Sequence, residues 1–349
     1  MLNTFASDYN IGACPEVFKS IGDMNFTKFD AYQTDSISEE CKRLVLEKCK
    51  LDDAEIFAFS GGTQANSVLL DFITPSRKAI IATSFSHISV HEAGAVEALG
   101  HKIITIQSKD GKLDANDLEK KLSCVRNDVN FGHTSDVGSC FITQPTELGT
   151  LYSKKELKDI YDVCGKYRIS LHVDGARLAY ALGADDNDAE LEHVAKFSDS
   201  FYIGGNKCGA LFGELGVLKG KWTNSQKYDF LSRRKSMGAL LAKSFLVTAQ
   251  FLELLSNGLY EQIGKKGDYA AKKISKCLER NNVELYMPAM TNQIFLLPND
   301  NILKRLGRAG YQVPDWDNID GKMVKRMVFD WTWGEESIKG LIEAIENAR

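Results

Sequence analysis

The sequence contains no pair of cysteines in C-x-x-C spacing, no long apolar run and no excess of basic residues. Its eight cysteines are spread singly along 349 residues, which excludes a zinc ribbon or thioredoxin-like motif and is typical of reduced thiols in a cytosolic protein. No apolar run approaches the length of a membrane span, and the N-terminus lacks the basic and apolar regions of a secretory signal. We therefore expect a cytoplasmic protein.

The charge balance excludes further classes of partner. A formal net charge of −4 and a pI near 5.9 give no reason to expect nucleic acid or an anionic membrane surface. Hydrophobic residues make up 44% of the chain, which is enough for a sizeable core. The length suggests about two domains, or one large and one small lobe.

Short apolar runs alternate with amphipathic stretches between residues 54 and 220. Ser153 and Glu156 form a capping box at the start of the best-signalled helix, and another helix is predicted after an Asp114 N-cap. This alternation favours an α/β fold with a mostly parallel sheet between helices, in which ligands bind at the carboxyl ends of strands. Strands are predicted at 55–59, 78–83, 102–106, 139–143, 169–173 and 201–203, and further helices at 64–73 and around 90–99.

The pattern changes near residue 225. A long helix or a broken pair of helices is predicted between 228 and 256, followed by a helix near 265–281, a strand at 293–297 and a short αβ tail ending near 346. We predict a large domain of residues 1–245, with an N-terminal arm of about residues 1–20, and a small C-terminal domain of residues 246–349.

Lys207 follows a predicted strand and lies among glycines, in the segment YIGGNKCG. Glycines allow the backbone to approach a ligand closely. Partial burial at such a place lowers the pKa of a lysine and makes its amine nucleophilic. Taken alone, a solvated lysine in a glycine turn is the alternative interpretation.

Asp174 and Arg177 follow the strand at 169–173. A carboxylate at the edge of the sheet can pair with a pyridinium nitrogen, and this pairing makes the ring an electron sink. Arg177 could hold a phenolate, a carboxylate or Asp174 itself. The alternative is an Asp–Arg pair that caps the next helix.

Gly62 and Thr63 lie where a predicted strand meets a helix, in the segment FSGGTQAN. Backbone N–H groups and the helix dipole suit a phosphate at such a point. The segment matches neither of the glycine-rich nucleotide-binding motifs, and a plain turn with a helix cap is the alternative.

His87 comes soon after a predicted strand and can stack on an aromatic cofactor ring. His91 lies four residues later, which is also a spacing for two metal ligands on a helix. The order is H-x-x-x-H-E rather than H-E-x-x-H, so we predict no metal site and interpret His91 as a structural helix residue.

The order of these features resembles the threonine aldolase / β-eliminating lyase family of pyridoxal-5′-phosphate (PLP) enzymes of fold type I. The most specific match is LHVDGARL at residues 171–178. The segment SGGT at 60–63 with Asn66 and the pair His87 and EAG at 92–94 also match. The resemblance implies a large domain with a mostly parallel seven-stranded sheet between helices and a smaller C-terminal α+β domain.

The resemblance extends over nearly the whole chain, because Ser7-Asp8 and Arg326 match early and late positions of the family. It implies PLP as cofactor, with Lys207 as the lysine that binds PLP covalently. It further implies that Asp174 contacts the pyridine nitrogen and that His87 stacks on the ring. The phosphate is assigned to Gly62, Thr63 and Gln64, orientation of cofactor and substrate to Arg177, and the substrate carboxylate to Arg326 with Ser7.

The activity that the resemblance implies is cleavage of a β-hydroxy amino acid, such as threonine or allo-threonine, to glycine and an aldehyde. Asn130 stands where the family has a histidine near the substrate hydroxyl, with His133 close by, and Gln144 lies in TQPTE (143–147) where the family has ENTHN. Residues 7–11 read SDYNI instead of SDTVT. The hydroxyl-side contacts therefore differ from those of classical members.

Other reactions of the same scaffold stay open: β-elimination, transamination or racemisation of an amino acid. A non-catalytic binding role is disfavoured, because Lys207, Asp174, His87 and Arg326 are all present. The family also implies a homo-oligomer, a dimer or a tetramer, with active sites near the subunit interfaces.

Overall fold

The structure, a computed structural model, describes residues 3–346. Its strands, in chain order, are β1 (Asn3–Thr4), β2 (Ala54–Phe59), β3 (Ala79–Thr83), β4 (Ile103–Ile106), β5 (Val137–Thr143), β6 (Ser170–Asp174), β7 (Ser200–Gly204), β8 (Glu214–Lys219), β9 (Gln293–Leu296), β10 (Tyr311–Gln312), β11 (Asp315–Ile319) and β12 (Lys322–Val328).

Seven of these strands form the central sheet, in the order β2-β8-β7-β6-β5-β3-β4. Strand β8 runs antiparallel to both of its neighbours, and the other pairs of adjacent strands are parallel. The predicted fold class, a mostly parallel seven-stranded sheet covered by helices, is confirmed. Buried, almost continuous apolar runs such as Ala79–Thr83 are typical of strands that are covered on both faces.

Helices cover this sheet and build the C-terminal region. They are α1 (Pro15–Asp23), α2 (Ser36–Cys49), α3 (Gly62–Ile73), α4 (His87–Val90), α5 (Ala115–Arg126), α6 (Lys154–Tyr167), α7 (Leu178–Gly183), α8 (Leu191–Lys196), α9 (Asn224–Ser236), α10 (Phe245–Leu255), α11 (Leu259–Arg280), α12 (Asp300–Arg308) and α13 (Glu335–Glu346).

Local signals fixed the starts of two of these helices as predicted. The Ser153 hydroxyl and the Glu156 side chain form a reciprocal capping box at the start of α6. The Asp114 side chain accepts hydrogen bonds from two backbone N–H groups at the start of α5. Both helices begin where these caps satisfy N–H groups that have no partner inside the helix.

The structure corrects one helix prediction and decides between the two alternatives of another. The helix expected around residues 90–99 is instead one turn, α4, followed by turns and a 3₁₀ segment at Glu97–Leu99. Ala93 and Gly94 both have positive φ angles, 51° and 76°, which an α-helix does not accommodate. Between 228 and 256 the chain forms two helices, α9 and α10, and Gly238 between them has φ 67°.

A second, three-stranded antiparallel sheet, β11-β12-β9, lies in the C-terminal part of the chain. The N-terminal strand β1 pairs with β10 of this part, and Phe5 is buried in its apolar core together with residues of α11 and α13. The start of the chain therefore attaches to the C-terminal lobe. None of the helices in the described part of the chain is long and apolar enough to cross a membrane.

Candidate active site

The predicted site residues meet at the carboxyl ends of β5, β6 and β7, around a cavity of about 410 Å³. Parallel strands place their carboxyl ends at the same edge of a sheet, which is why residues far apart in sequence converge here. Six of the predicted residues line this cavity: Gly62, Thr63, His87, Asp174, Arg177 and Lys207. The other three, Ser7, Gln64 and Arg326, are not among its lining residues.

Asp174 ends β6 and is buried, with only 1% of its surface exposed. Its Oδ1 accepts hydrogen bonds from the Tyr202 hydroxyl at 2.5 Å and the Ala176 N–H at 2.9 Å. Burial opposes ionisation, but the electrostatic interaction with His87 and these hydrogen bonds outweigh it and lower the pKa of Asp174. Asp174 is therefore a fixed, ionised carboxylate, as a partner for a pyridinium nitrogen must be.

Asn66 connects Asp174 to His87. Its amide nitrogen donates to Asp174 Oδ2 at 2.9 Å and to Glu92 Oε1 at 2.8 Å. The same Glu92 oxygen accepts from His87 Nδ1 at 2.8 Å, so Nδ1 carries the proton. The hydrogen bond at Nδ1 thereby restrains the orientation of the His87 ring, and His87 lines the cavity.

His172 fixes the orientation of the Asn66 side chain. Its Nε2 donates to Asn66 Oδ1 at 3.1 Å, and its Nδ1 accepts from the Ser200 hydroxyl at 2.7 Å. Burial lowers the pKa of His172 to about 4, so the ring is neutral at physiological pH. Asp174, Asn66, His172 and Ser200 therefore belong to one connected hydrogen-bond network. This network explains why the motif LHVDGAR contains a buried histidine two residues before the aspartate.

Lys207 lies three residues after Gly204, the last residue of β7. Burial, and next the positive charge of Arg177, lower the pKa of Lys207 below that of a solvated lysine. The carboxylates of Asp8, Asp174 and Glu214 oppose this effect. The alternative of an ordinary solvated lysine is therefore wrong for this residue.

The N-terminus of α3 reaches the cavity through Gly62. A Cβ atom at this position would lie 2.9 Å from the Tyr202 hydroxyl oxygen. Glycine therefore allows the helix to start in contact with Tyr202, whose hydroxyl donates to Asp174. No side chain caps this helix end, and its first N–H groups are available to an anion. Gln64 instead braces the turn, since its Oε1 accepts from the Ser60 N–H and hydroxyl, each at 3.0 Å.

Arg177 is paired with Asp8 rather than with Asp174. Its Nε and Nη2 donate to the two Asp8 oxygens at 2.7 and 2.9 Å, a bidentate geometry. Asp8 Oδ2 also accepts from Asn292 Nδ2 at 2.9 Å. The N-terminal arm is therefore tied both to the central sheet and to the segment just before β9.

Arg326 lies on β12, close enough to Arg177 for their charges to interact. Its Nη2 donates to the Ala6 carbonyl at 3.1 Å and its Nη1 to Gln293 Oε1 at 3.4 Å. Burial, followed by the charge of Arg177, lowers the pKa of Arg326 to about 10. Ser7 is buried beside it, and its hydroxyl has no hydrogen-bond partner among the described residues.

The sequence did not reveal three further side chains of the cavity: Glu147, Tyr202 and Glu214. Glu147 lies in the segment that departs from the family pattern, Tyr202 is inside a strand, and Glu214 begins β8, a strand that was not predicted. Only the position of Glu147, four residues after the strand end at Thr143, was available as a signal.

Residues near the departing segments have other surroundings. Asn130 and His133 are exposed in the turn between α5 and β5, and neither lines the cavity. Gln144 is buried and bonds both backbone groups of Tyr152, at 3.0 and 3.1 Å, so it braces the loop after β5. His91 is exposed at the end of α4, with its ring centroid 5.5 Å from that of His87.

Two other features of the described residues have the form of a binding site: a second cavity and a cluster of possible metal ligands. A larger cavity of about 560 Å³ lies between the end of α7, α11 and the segment before α13, and it contains none of the predicted residues. Within residues 3–346, the cluster with metal-ligand spacing is Glu190, Glu192 and His193, whose members are mostly paired to one another near the start of α8. Neither feature contains any of the predicted site residues.

The fold is that of the PLP-dependent enzymes of fold type I. The solved structure of threonine aldolase from Leishmania major superposes with a TM-score of 0.91, at 32% identity, over 99% of this chain and 98% of that one. Aspartate aminotransferase from Thermus thermophilus, at 15% identity and a TM-score of 0.70, shares the fold over 98% of this chain and 90% of its own.

The chain belongs to the β-eliminating lyase family, whose sequence model matches residues 4–299. Low specificity L-threonine aldolase from Pseudomonas sp. is 29% identical, over 97% of this chain and 95% of its own length. The enzyme of the same name from Pseudomonas aeruginosa is 27% identical, over 98% and 96%. The family resemblance seen in the sequence is confirmed.

Proposed function

We propose that this protein is a PLP-dependent lyase that cleaves β-hydroxy amino acids, L-threonine or L-allo-threonine among them, to glycine and an aldehyde. The observation that supports this most is the meeting of a half-buried Lys207, an ionised Asp174 and the open N-terminus of α3 around one cavity. The relatives that match nearly the full chain are named threonine aldolases.

The residues of the cavity fit PLP chemically. Lys207 provides an amine with a lowered pKa for covalent attachment, and Asp174 an ionised carboxylate for the ring nitrogen. The backbone N–H groups at Gly62 and Thr63 suit the phosphate. The stacking position on the ring is assigned to His87, whose Nδ1 donates to Glu92. When bound, PLP supplies an electron sink for a bond broken at Cα.

The substrate carboxylate is assigned to Arg326, with Ser7 beside it. A guanidinium grips a carboxylate through two parallel hydrogen bonds and so fixes the rotation about Cα, which decides which Cα bond breaks. The Ser7 hydroxyl and Arg326 Nε are both buried without a hydrogen-bond partner among the described residues, as expected for groups that bind a ligand. Arg177 positions Asp8 and the arm that contributes Ser7.

A second copy of the chain is proposed to cover the mouth of the cavity, giving a homodimer or homotetramer in the cytoplasm. Tyr9, Ile11 and Leu211 line the cavity yet are 59%, 41% and 46% exposed. Apolar side chains gathered at a site mouth are typical of a surface that a partner covers. We also propose that residues 1–245 act as the PLP-binding domain and 246–349 as the domain that contributes Arg326.

Product analysis tests the proposed function. The protein, reconstituted with PLP, is incubated with L-threonine, L-allo-threonine and L-serine, beside Lys207→Ala treated in the same way. We expect acetaldehyde and glycine from the first two substrates in the wild type alone. Pyruvate or another keto acid with ammonia would instead indicate elimination or transamination, inverted substrate would indicate racemisation, and each would overturn the aldolase assignment.

A further inference from the structure

Three carboxylates line the cavity, and they differ in how many of their oxygens are used by the protein. Asp174 accepts hydrogen bonds at both oxygens, from Tyr202, Ala176 and Asn66. Glu214 also uses both, since Oε2 accepts from the Gly205 N–H at 2.6 Å and Oε1 from Asn206 at 2.7 Å. These two carboxylates therefore have little capacity left to exchange a proton with a ligand.

Glu147 is the exception. Its Oε1 accepts from the His87 N–H and from the Thr143 hydroxyl, both at 2.7 Å. Apart from a contact of the carboxylate with the backbone N–H of Glu147 itself, Oε2 forms no hydrogen bond with another described residue. It is also not among the fully buried polar atoms without a partner. The hydrogen bonds to Oε1 thus hold the carboxyl group next to His87. Oε2 remains available to a ligand in the cavity.

We propose that Glu147 is a catalytic residue that accepts the proton of the substrate hydroxyl through Oε2. The inference rests on the proposed function, because only a β-hydroxy substrate brings such a proton into the cavity. Asn130 and His133, which the family resemblance relates to a histidine near the substrate hydroxyl, are exposed and do not line the cavity. Glu147 does, at the carboxyl end of β5 next to Asp174 and His87.

The electrostatic surroundings suit a group that both takes and returns a proton. Burial, together with the negative charge of Asp174, raises the pKa of Glu147 to about 7, and hydrogen bonds from Thr143 and His87 limit the rise. A general base is most effective when its pKa lies near the working pH. The charged and titratable side chains that line the cavity around it are His87, Asp174, Arg177, Lys207 and Glu214.

The step balances without a further reactant. The substrate O–H bond breaks and its proton moves to Glu147 Oε2, while an oxygen electron pair forms the C=O bond of the aldehyde. The Cα–Cβ bond breaks, and its electron pair stays with the glycine fragment. A proton taken up at Cα then completes glycine, so no oxidant or reductant is consumed.

The test compares two reactions of the Glu147→Gln holoenzyme. The first is aldehyde release from L-threonine, which needs a base for the hydroxyl. The second is exchange of the glycine α-hydrogen in D₂O, followed by NMR, which does not, because glycine has no hydroxyl. Glutamine keeps an oxygen that accepts from His87 and Thr143 but cannot take a proton. Glu40→Gln, at an exposed position on α2, is the matched control.

We expect threonine cleavage by Glu147→Gln to fall about 100-fold or more, the usual effect of losing a general base, with glycine exchange and PLP binding close to wild type. The rise of cleavage with pH through about 7 should also disappear in this variant. Unchanged cleavage, or an equal fall of both reactions, would overturn the role. If the wild type exchanges glycine but releases no aldehyde, the proposed function fails and this inference with it.

Discussion

Asp174 shows how a single residue is prepared for a cofactor before any cofactor binds. Its charge is fixed by three hydrogen-bond donors and by His87, although the residue is almost fully buried. The sequence motif indicated this residue as a candidate, because an acidic side chain at the end of a buried strand is unusual. It did not predict the donors, since Asn66 and Tyr202 lie 108 and 28 residues away.

At the residue scale, we predict that Asp174→Asn still accepts PLP on Lys207 but cleaves threonine about 100- to 1,000-fold more slowly. The loss is that expected when one preorganised electrostatic partner of the reacting system is removed. The PLP absorption band and the rate of aldehyde release, measured on the same preparation, check this prediction. A variant with an unchanged rate would show that Asp174 does not contact the reacting ring.

At the scale of an element, the position of the N-terminus of α3 depends on a single glycine. Gly62 brings this helix end against the Tyr202 hydroxyl, where a methyl group would be only 2.9 Å away. We predict that Gly62→Ala weakens PLP binding and lowers the free energy of unfolding by about 1–3 kcal/mol, the usual cost of an overpacked site. PLP titration and urea denaturation of the apoprotein measure the two effects.

Gly22→Ala is the matched control for this substitution. Gly22 lies in α1, where an added Cβ meets no atom within 4 Å, so alanine should stabilise the helix slightly. If Gly62→Ala binds PLP as tightly as Gly22→Ala does, the helix end is not the phosphate site.

Elements with complete local signals were predicted well, and those set by long-range contacts were not. The capping box of Ser153 and Glu156 located α6 correctly, because both bonds lie within four residues of each other. The apolar periodicity around 90–99 favoured a helix, but the left-handed residues Ala93 and Gly94 break it. Strand β8 has a short and weakly alternating sequence and exists through its pairing with β2 and β7.

The N-terminal arm connects the two parts of the molecule through Asp8. Its carboxylate binds Arg177 of the central lobe and Asn292 near β9, contacts that span 169 and 284 residues. No local pattern predicts such contacts, and the sequence indicated only that Ser7-Asp8 belonged to the site. Arg326 is another long-range contact of the arm, since its Nη2 donates to the Ala6 carbonyl.

At the scale of the whole molecule, we predict that Asp8→Asn destabilises the apoprotein by about 3–5 kcal/mol at pH 7, because Arg177 would be left buried without its counter-ion. Burial raises the pKa of Asp8, but the charges of Arg177 and Lys207 outweigh it, so its folded pKa lies below the usual 3.8. Stability from the ionised form is then present above about pH 4 and is lost as the pH falls further.

Urea denaturation of the wild type and Asp8→Asn between pH 3 and pH 7 checks this account. The difference between them should be constant above about pH 5 and shrink below pH 4. Asp159→Asn, which breaks an exposed ion pair with Lys155, is the control and should leave the free energy of unfolding nearly unchanged. A difference between the first two proteins that grows as the pH falls would contradict the assigned charge state.

The measurement that tests the central claim most directly is aldehyde release from L-threonine by the PLP-reconstituted protein beside Lys207→Ala, with the visible absorption of both recorded. We predict an absorption band that changes on adding threonine, together with acetaldehyde and glycine, in the wild type only. A wild type that takes up no PLP, or a Lys207→Ala variant that releases acetaldehyde at the wild-type rate, would contradict the account.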